Sequence, residues 1–232
     1  MKNRLWIALA VLVPLTLGGG AAWYLLREKP ATVATAPANA GESISGEERH
    51  TMGDPKAPLV LIEYGALTCP HCAEFNEHVM PALKEKYIDT GKVFYVYRLL
   101  PLGPADHKAE GLAACLPREK YFDAIDTLYR RQNEWGSMQM EEHGPGFDME
   151  HQPKTDAGLA RLADVLGLDA AKARSCMLDN SLHQVVEKIA GDGALRYGLT
   201  GVPTVIVNGK VLTTPHSAEE LFQLLDPLLE GK

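Results

Sequence analysis

The cysteines of this 232-residue chain, and the residues next to them, carry its most distinctive chemistry. Two stand close together in Cys69-Pro70-His71-Cys72. If a helix opens at this motif, the two sulfurs lie about one turn apart on the same side and can bond. Pro70 suits the first helical position, where a missing N–H costs nothing. Cys69 then sits at the helix N-terminus, where unpaired amides and the positive dipole end stabilise a thiolate. A lowered pKa makes Cys69 the attacking sulfur. His71 is expected to add positive charge and to donate to that sulfur. Cys72 belongs to an apolar face and is expected to be buried. Cys69 is therefore expected to be the exposed sulfur that forms a mixed disulfide, and Cys72 the one that resolves it. Two blander readings compete. A purely structural bridge gains little across so short a loop. A zinc site needs about four ligands, and only Cys115, Cys176 and scattered histidines remain. We expect no metal and no cofactor beyond the Cys69–Cys72 pair itself. Met138, Met140, His143, Met149 and His151 form a Met/His cluster whose donor types would suit copper(I). An irregular loop is the plainer explanation of it.

The elements that must position these residues are legible from periodicity. Leu59 to Tyr64 is a short apolar run rich in β-formers, hence a buried strand. Glu63 interrupts it six residues before Cys69, and a buried carboxylate needs a partner or keeps its proton. A strand-end residue pairing with a surface base is the alternative. Cys72, Phe75, Val79, Leu83 and Tyr87 recur at helical spacing on one face, with Pro81 expected to kink that helix. Lys92 to Leu100 reads as a second strand. Residues 105–198 are helical in pattern, with Asp156 and Asp169 as candidate N-caps and a long loop from Trp135 to Pro153. Thr204 to Val207 is a third strand. Asn208-Gly209 is a strong hairpin signal, returning through Lys210 to Thr213. Ser217-Ala218-Glu219-Glu220 reads as a capping box that opens the last helix. The order β-α-β, helices, β-β-α is explained economically by two terminal halves that share one sheet.

Residues 5–26 contain no charge, and Lys2 and Arg4 precede them. Twenty-two such residues exceed the ~20 that span a bilayer, so an uncleaved anchor is expected. A cleaved signal ending near Ala21-Ala22 is the alternative. Residues 30–50 are small, polar and aperiodic, a flexible tether reaching roughly 25 Å. Removing the four basic and one acidic residues of positions 1–29 leaves 19 basic and 29 acidic residues, a net of −10. That sign disfavours nucleic-acid binding.

Glu63, Cys69-Pro70-His71-Cys72, Gly201-Val202-Pro203-Thr204 and Asn208-Gly209-Lys210 together resemble the DsbA family of thiol oxidases. The likeness runs from about Met52 to the C-terminus, and Met52 through Tyr64 looks most like its alphaproteobacterial branch. The resemblance implies an α/β chain with a thioredoxin fold interrupted by an inserted helical domain, preceded by the N-terminal hydrophobic anchor or signal. The expected division is 1–29 anchor or signal, 30–50 linker, 51–103 and 191–232 thioredoxin domain, and 104–190 helical insertion. The resemblance also implies a cis peptide between Val202 and Pro203, placed against the cysteine pair, with the Val202 backbone binding substrate peptide. A trans proline at a strand start is the residue-level alternative. It casts Glu63 as proton acceptor and tuner of the buried cysteine. The family's usual basic partner for that acid is not clearly placed here, and Arg98 is the weak candidate.

Cys115 and Cys176 fall in predicted helices. In an exported chain with four cysteines, two of them assigned, they are expected to pair as a structural disulfide. Two buried free thiols are the alternative. The expected function is oxidation of thiol pairs in unfolded exported polypeptides within the periplasm, from an inner-membrane tether. Release as a soluble periplasmic protein after signal cleavage is the alternative. A membrane quinone-linked protein that reoxidises the pair follows from the resemblance. A periplasmic isomerase or reductase is the rival enzyme, and a copper- or peptide-binding chaperone the rival outside enzymology.

Overall fold

The computed structural model describes residues 50–136 and 152–230. The uncharged run 5–26, the tether to position 49 and the Met/His cluster of 138–151 lie outside the described residues. Among those described, no helix is long and apolar enough to cross a membrane.

A five-stranded sheet is built from β1 (Thr51–Met52), β2 (Leu59–Gly65), β3 (Val93–Leu99), β4 (Thr204–Val207) and β5 (Lys210–Leu212), in the order β1-β3-β2-β4-β5. β2 and β3 are parallel, with Glu63 opposite Tyr97 and Tyr64 opposite Arg98. The other pairings are antiparallel. β1 escapes a periodicity search because two residues have no period. The β4–β5 turn has positive φ at Asn208 (49°) and Gly209 (78°), the conformation that makes Asn-Gly a hairpin sequence.

The parallel pair needs a crossover, supplied by α1 (Pro70–His78), α2 (Met80–Leu83) and a π-helical turn over Lys84–Ile88. The predicted continuous helix breaks at Val79, two residues before Pro81, consistent with the missing N–H and ring clash of proline. Cys72, Phe75, Val79, Leu83 and Tyr87 are all buried, as their spacing implies. Helices α3 (Pro104–Ala114), α4 (Tyr121–Arg130), α5 (Gln152–Val165), α6 (Ala170–Met177) and α7 (Asn180–Tyr197) separate β3 from β4, and α8 (Ala218–Glu230) ends the described chain. This is a mixed α/β thioredoxin-like fold with a helical insertion. α7 passes residue 190 without a break and stops at Gly198, whose φ is +63°, so the insertion merges into the terminal half through a helix.

Alternation along the strands sorts residues onto two faces. Leu59, Leu61, Val93, Tyr95 and Tyr97 join the larger core, with residues of the helices α1–α8. Ile62, Tyr64, Phe94, Val96 and Ile206 form a second core, against which Tyr197 and Leu199 pack.

Two cap assignments change. Asp169 does cap α6, accepting from Lys172 N at 2.9 Å. Asp156 does not cap α5; the helix starts earlier, at Gln152, and Asp156 pairs with Lys108 Nζ at 2.6 Å. Of the capping box at α8, Glu220 N donates to Ser217 Oγ at 3.2 Å, but the Glu220 carboxylate accepts from His216 N.

Candidate active site

β2 ends at Gly65, and the chain reaches α1 through Ala66-Leu67-Thr68-Cys69. Cys69 is the N-cap of α1 in extended backbone conformation (φ −80°, ψ 122°), and Pro70 opens the helix. The connecting turn is held from outside by two buried side chains. Asp106, near the start of α3, accepts from Thr68 N at 2.8 Å and Thr68 Oγ1 at 3.0 Å. Its other bonds, from Leu102 N and Gly103 N, tie down its own helix start. Gln132 Nε2 donates to the carbonyls of Leu67 at 2.7 Å and Cys69 at 3.1 Å. Neither residue was singled out from sequence. Asp106 carries a local signal, an acid at the third position of a helix opening with Gly103-Pro104, whereas Gln132 carries none.

Both thiols are covered. Cys72 has no exposed surface and Cys69 only 6%, so the expected exposure of Cys69 is corrected. The covering group is the Val202–Pro203 loop, whose peptide bond is cis. The Val202 carbonyl oxygen lies 3.7 Å from Cys69 Sγ. Cys72 Sγ accepts from Ala66 N at 3.4 Å.

The two sulfurs are pushed in opposite directions. The Cys69 thiol falls to about 6, first because the Cys72 thiol donates to it, and further through the backbone amides of Cys72 and His71 and the charge of His71, with burial opposing. Burial drives Cys72 far upward, and the negative charge arising on Cys69 adds to it. In the reduced pair these shifts favour a thiolate on Cys69 beside a thiol on Cys72. His71 acts by charge and backbone. Its exposed ring bonds to Glu74 at 3.1 Å, so the expected ring donation to Cys69 is not made. Glu74 raises its pKa.

Glu63 is 2% exposed. Burial lifts its carboxyl to about 7, moderated by the Tyr95 hydroxyl, which donates to Oε2 at 2.7 Å. Arg98 is not its partner. The strand register places Arg98 beside Tyr64, on the opposite face, and its Nη1 donates to the Tyr64 hydroxyl at 2.7 Å. A tyrosine thus stands where a basic residue was sought.

Cys115 and Cys176 are disulfide-bonded, linking the C-cap of α3 to α6, with Cα atoms 5.9 Å apart. Gly111 permits the approach, because a Cβ there would collide with the Cys176 backbone. Among the described residues no group of three or more His, Cys, Asp or Glu could hold a metal ion.

The thioredoxin family model matches residues 45–227. The chain belongs to the thioredoxin family. Within it, the chain is of the DsbA type. It is 26% identical over 182 residues to a Rickettsia typhi protein that carries the provisional name of protein-disulfide oxidoreductase. That alignment covers 78% of this chain and 62% of the relative, so the chain spans less than two thirds of that relative's length. Among solved structures, alpha-DsbA1 of Wolbachia pipientis superposes with a TM-score of 0.67 at 26% identity, covering 78% of this chain and 90% of that one. A protein-disulfide isomerase from Novosphingobium aromaticivorans gives 0.66 at 22% identity, with 77% and 96% covered. At that identity it shows the fold alone.

Proposed function

We propose that this protein is a thiol–disulfide oxidoreductase that oxidises cysteine pairs in unfolded exported polypeptides through Cys69 and Cys72. The observation that carries the reading is the split between two sulfurs in one helical turn. Cys69 is held low at the helix start, and Cys72 is held high in the core. A low-pKa thiolate is a good leaving group. A substrate thiolate attacks Sγ of Cys69, the Cys69–Cys72 bond breaks, and a mixed disulfide joins substrate to Cys69. The second substrate thiol then attacks the substrate sulfur, and Cys69 leaves as a thiolate. The substrate gains a disulfide, and the protein gains two electrons. Val202 and Pro203 are the proposed substrate-binding edge, with the Val202 carbonyl beside the reacting sulfur. Glu63 is the proposed proton donor and acceptor for Cys72, and Cys115–Cys176 is proposed as structural.

Residues 5–26 are proposed to tether the protein to the inner membrane with its catalytic part in the periplasm, on the strength of the uncharged run and the tether after it. Reoxidation by a membrane quinone-linked protein is proposed from the DsbA likeness.

Refolding of reduced RNase and reduction of insulin, run side by side, test the function. Oxidised protein should restore RNase activity efficiently, and the Cys69→Ser variant should not. Insulin reduction without RNase oxidation would replace the oxidase with a reductase.

A further inference from the structure

His71 and Glu74 stand on the solvent side of α1, three residues apart, with side chains 69% and 60% exposed. Residues at that spacing are neighbours on a helix surface. The Glu74 carboxylate reaches back toward the first turn, and His71 Nδ1 lies 3.1 Å from its Oε2. The helix start favours a negative group there. Three ionisable groups therefore meet at the opening of α1: the Cys69 sulfur, the His71 ring and the Glu74 carboxylate. The ring bonds the carboxylate rather than the sulfur.

The consequences for the two neighbours of the ring are unequal. Glu74 acts on His71 more strongly than Cys69 does. On Cys69, the charge of His71 is the weakest of the favourable influences, behind the Cys72 thiol and the two backbone amides. An imidazolium already paired with a carboxylate presents less net charge to a third group. Glu74 reaches the sulfur through the ring that it holds.

We propose that Glu74 is a positioning residue for disulfide exchange: it holds the His71 ring, withholds part of that ring's charge from Cys69, and so makes the protein less oxidising than Cys-Pro-His-Cys alone would be. The proposal rests on the reading of Cys69 as the sulfur that leaves as a thiolate. Reducing the Cys69–Cys72 bond delivers two electrons, leaves a negative charge on Cys69 and places a proton on Cys72. Whatever stabilises that charge favours the reduced form and raises the potential. The exposed ring has no packing to hold it, so without Glu74 it turns to the sulfur. Glu74 also favours the charged form of the ring, which acts in the opposite direction. That loss is offset, because the Cys69 thiolate itself favours a charged His71.

The test is a double-mutant cycle. Full-length wild type, Glu74→Gln, His71→Ala and the double variant are each equilibrated with glutathione buffers at pH 7. Two glutathione thiols reduce the Cys69–Cys72 disulfide to the dithiol and become one oxidised glutathione. The protein ratio is read by alkylation and mass spectrometry. Glu74→Gln should move this equilibrium about threefold toward the dithiol, the scale of one exposed ion pair. The Cys69 thiolate absorbance at 240 nm should titrate about half a pH unit lower, which is the same factor. In the His71→Ala background, Glu74→Gln should change neither reading. In the oxidised protein, where Cys69 carries no charge, Glu74→Gln should lower the His71 titration seen by NMR by about half a pH unit. An equilibrium that stays put, one that moves toward the disulfide, or a threefold shift that persists without His71 overturns the proposal. If wild type exchanges no disulfide with glutathione, the reading of Cys69 fails and takes the proposal with it. If all four proteins exchange with equal equilibria, the role of Glu74 fails alone.

Discussion

The sulfur of Cys69 and the carbonyl oxygen of Val202 lie 3.7 Å apart although 133 residues separate them in the chain. This contact puts a backbone acceptor beside the atom proposed to form the mixed disulfide. Cys72, one helical turn along, is sealed beneath. Cys69→Ser should therefore abolish exchange, and Cys72→Ser should capture substrate at Cys69 and fail to release it. Non-reducing gels of the two variants incubated with a reduced polypeptide check this. Covalent complexes accumulating on Cys69→Ser instead would reverse the roles.

The reduced protein should be more stable than the oxidised one at pH 7, and the difference should widen with pH. Cys69 has its folded pKa depressed to about 6, against about 8.5 for an unfolded thiol. A depressed acid stabilises the fold fully above the unfolded value and loses that contribution as pH falls through the folded one. The window is thus about pH 6 to 8.5. Glu63 shifts the opposite way, and to the extent that it does so in both redox forms its effect leaves their difference unchanged. Guanidinium denaturation of each form at pH 5.5, 7 and 8.5 reads it. A gap that shrinks with rising pH would be inconsistent with a Cys69 thiolate.

Removing the second disulfide should cost stability and spare the chemistry. The 61-residue separation of Cys115 and Cys176 makes the closed loop worth about 4 kcal/mol by chain entropy. For a domain of this size that is a fall in Tm on the order of 10 °C. Calorimetry of Cys115→Ala/Cys176→Ala, with RNase refolding at 20 °C, separates the two effects. Near-wild-type Tm would show that the bridge stabilises little.

Asp106→Ala should be among the most damaging single substitutions outside the cysteine pair. It strands two buried donors of Thr68 and the half-buried amides of Leu102 and Gly103, and unmet buried donors cost about 1–3 kcal/mol each before relaxation. We expect a loss of roughly 3–5 kcal/mol in chemical denaturation, with a changed Cys69 thiolate titration at 240 nm. A loss below about 1 kcal/mol would mean that solvent reaches those amides.

The site divides cleanly by range. Cys-Pro-His-Cys determines its own geometry, because a proline at the first helical position and a three-residue spacing are local facts. The same holds for the Asn208-Gly209 turn and for the buried face that includes Cys72. The DsbA likeness carried in Cys-Pro-His-Cys and Val202-Pro203 placed the fold and the cis bond, which periodicity alone does not indicate. What tertiary structure decided is which residue meets which across the sheet and between helices. From the sequence, Arg98 was the weak candidate for the partner of Glu63. Pairing β2 with β3 in register set Arg98 beside Tyr64 on one face and left Tyr95 beside Glu63 on the other, and one residue of slip would have exchanged them. Asp106 and Gln132 grip the turn before Cys69 from elements 38 and at least 63 residues away. Likewise Cys69, exposed by the logic of a helix start, is covered by a loop from the far end of the chain. A helix terminus specifies its own amides and dipole; what lies over it is decided only when the chain closes.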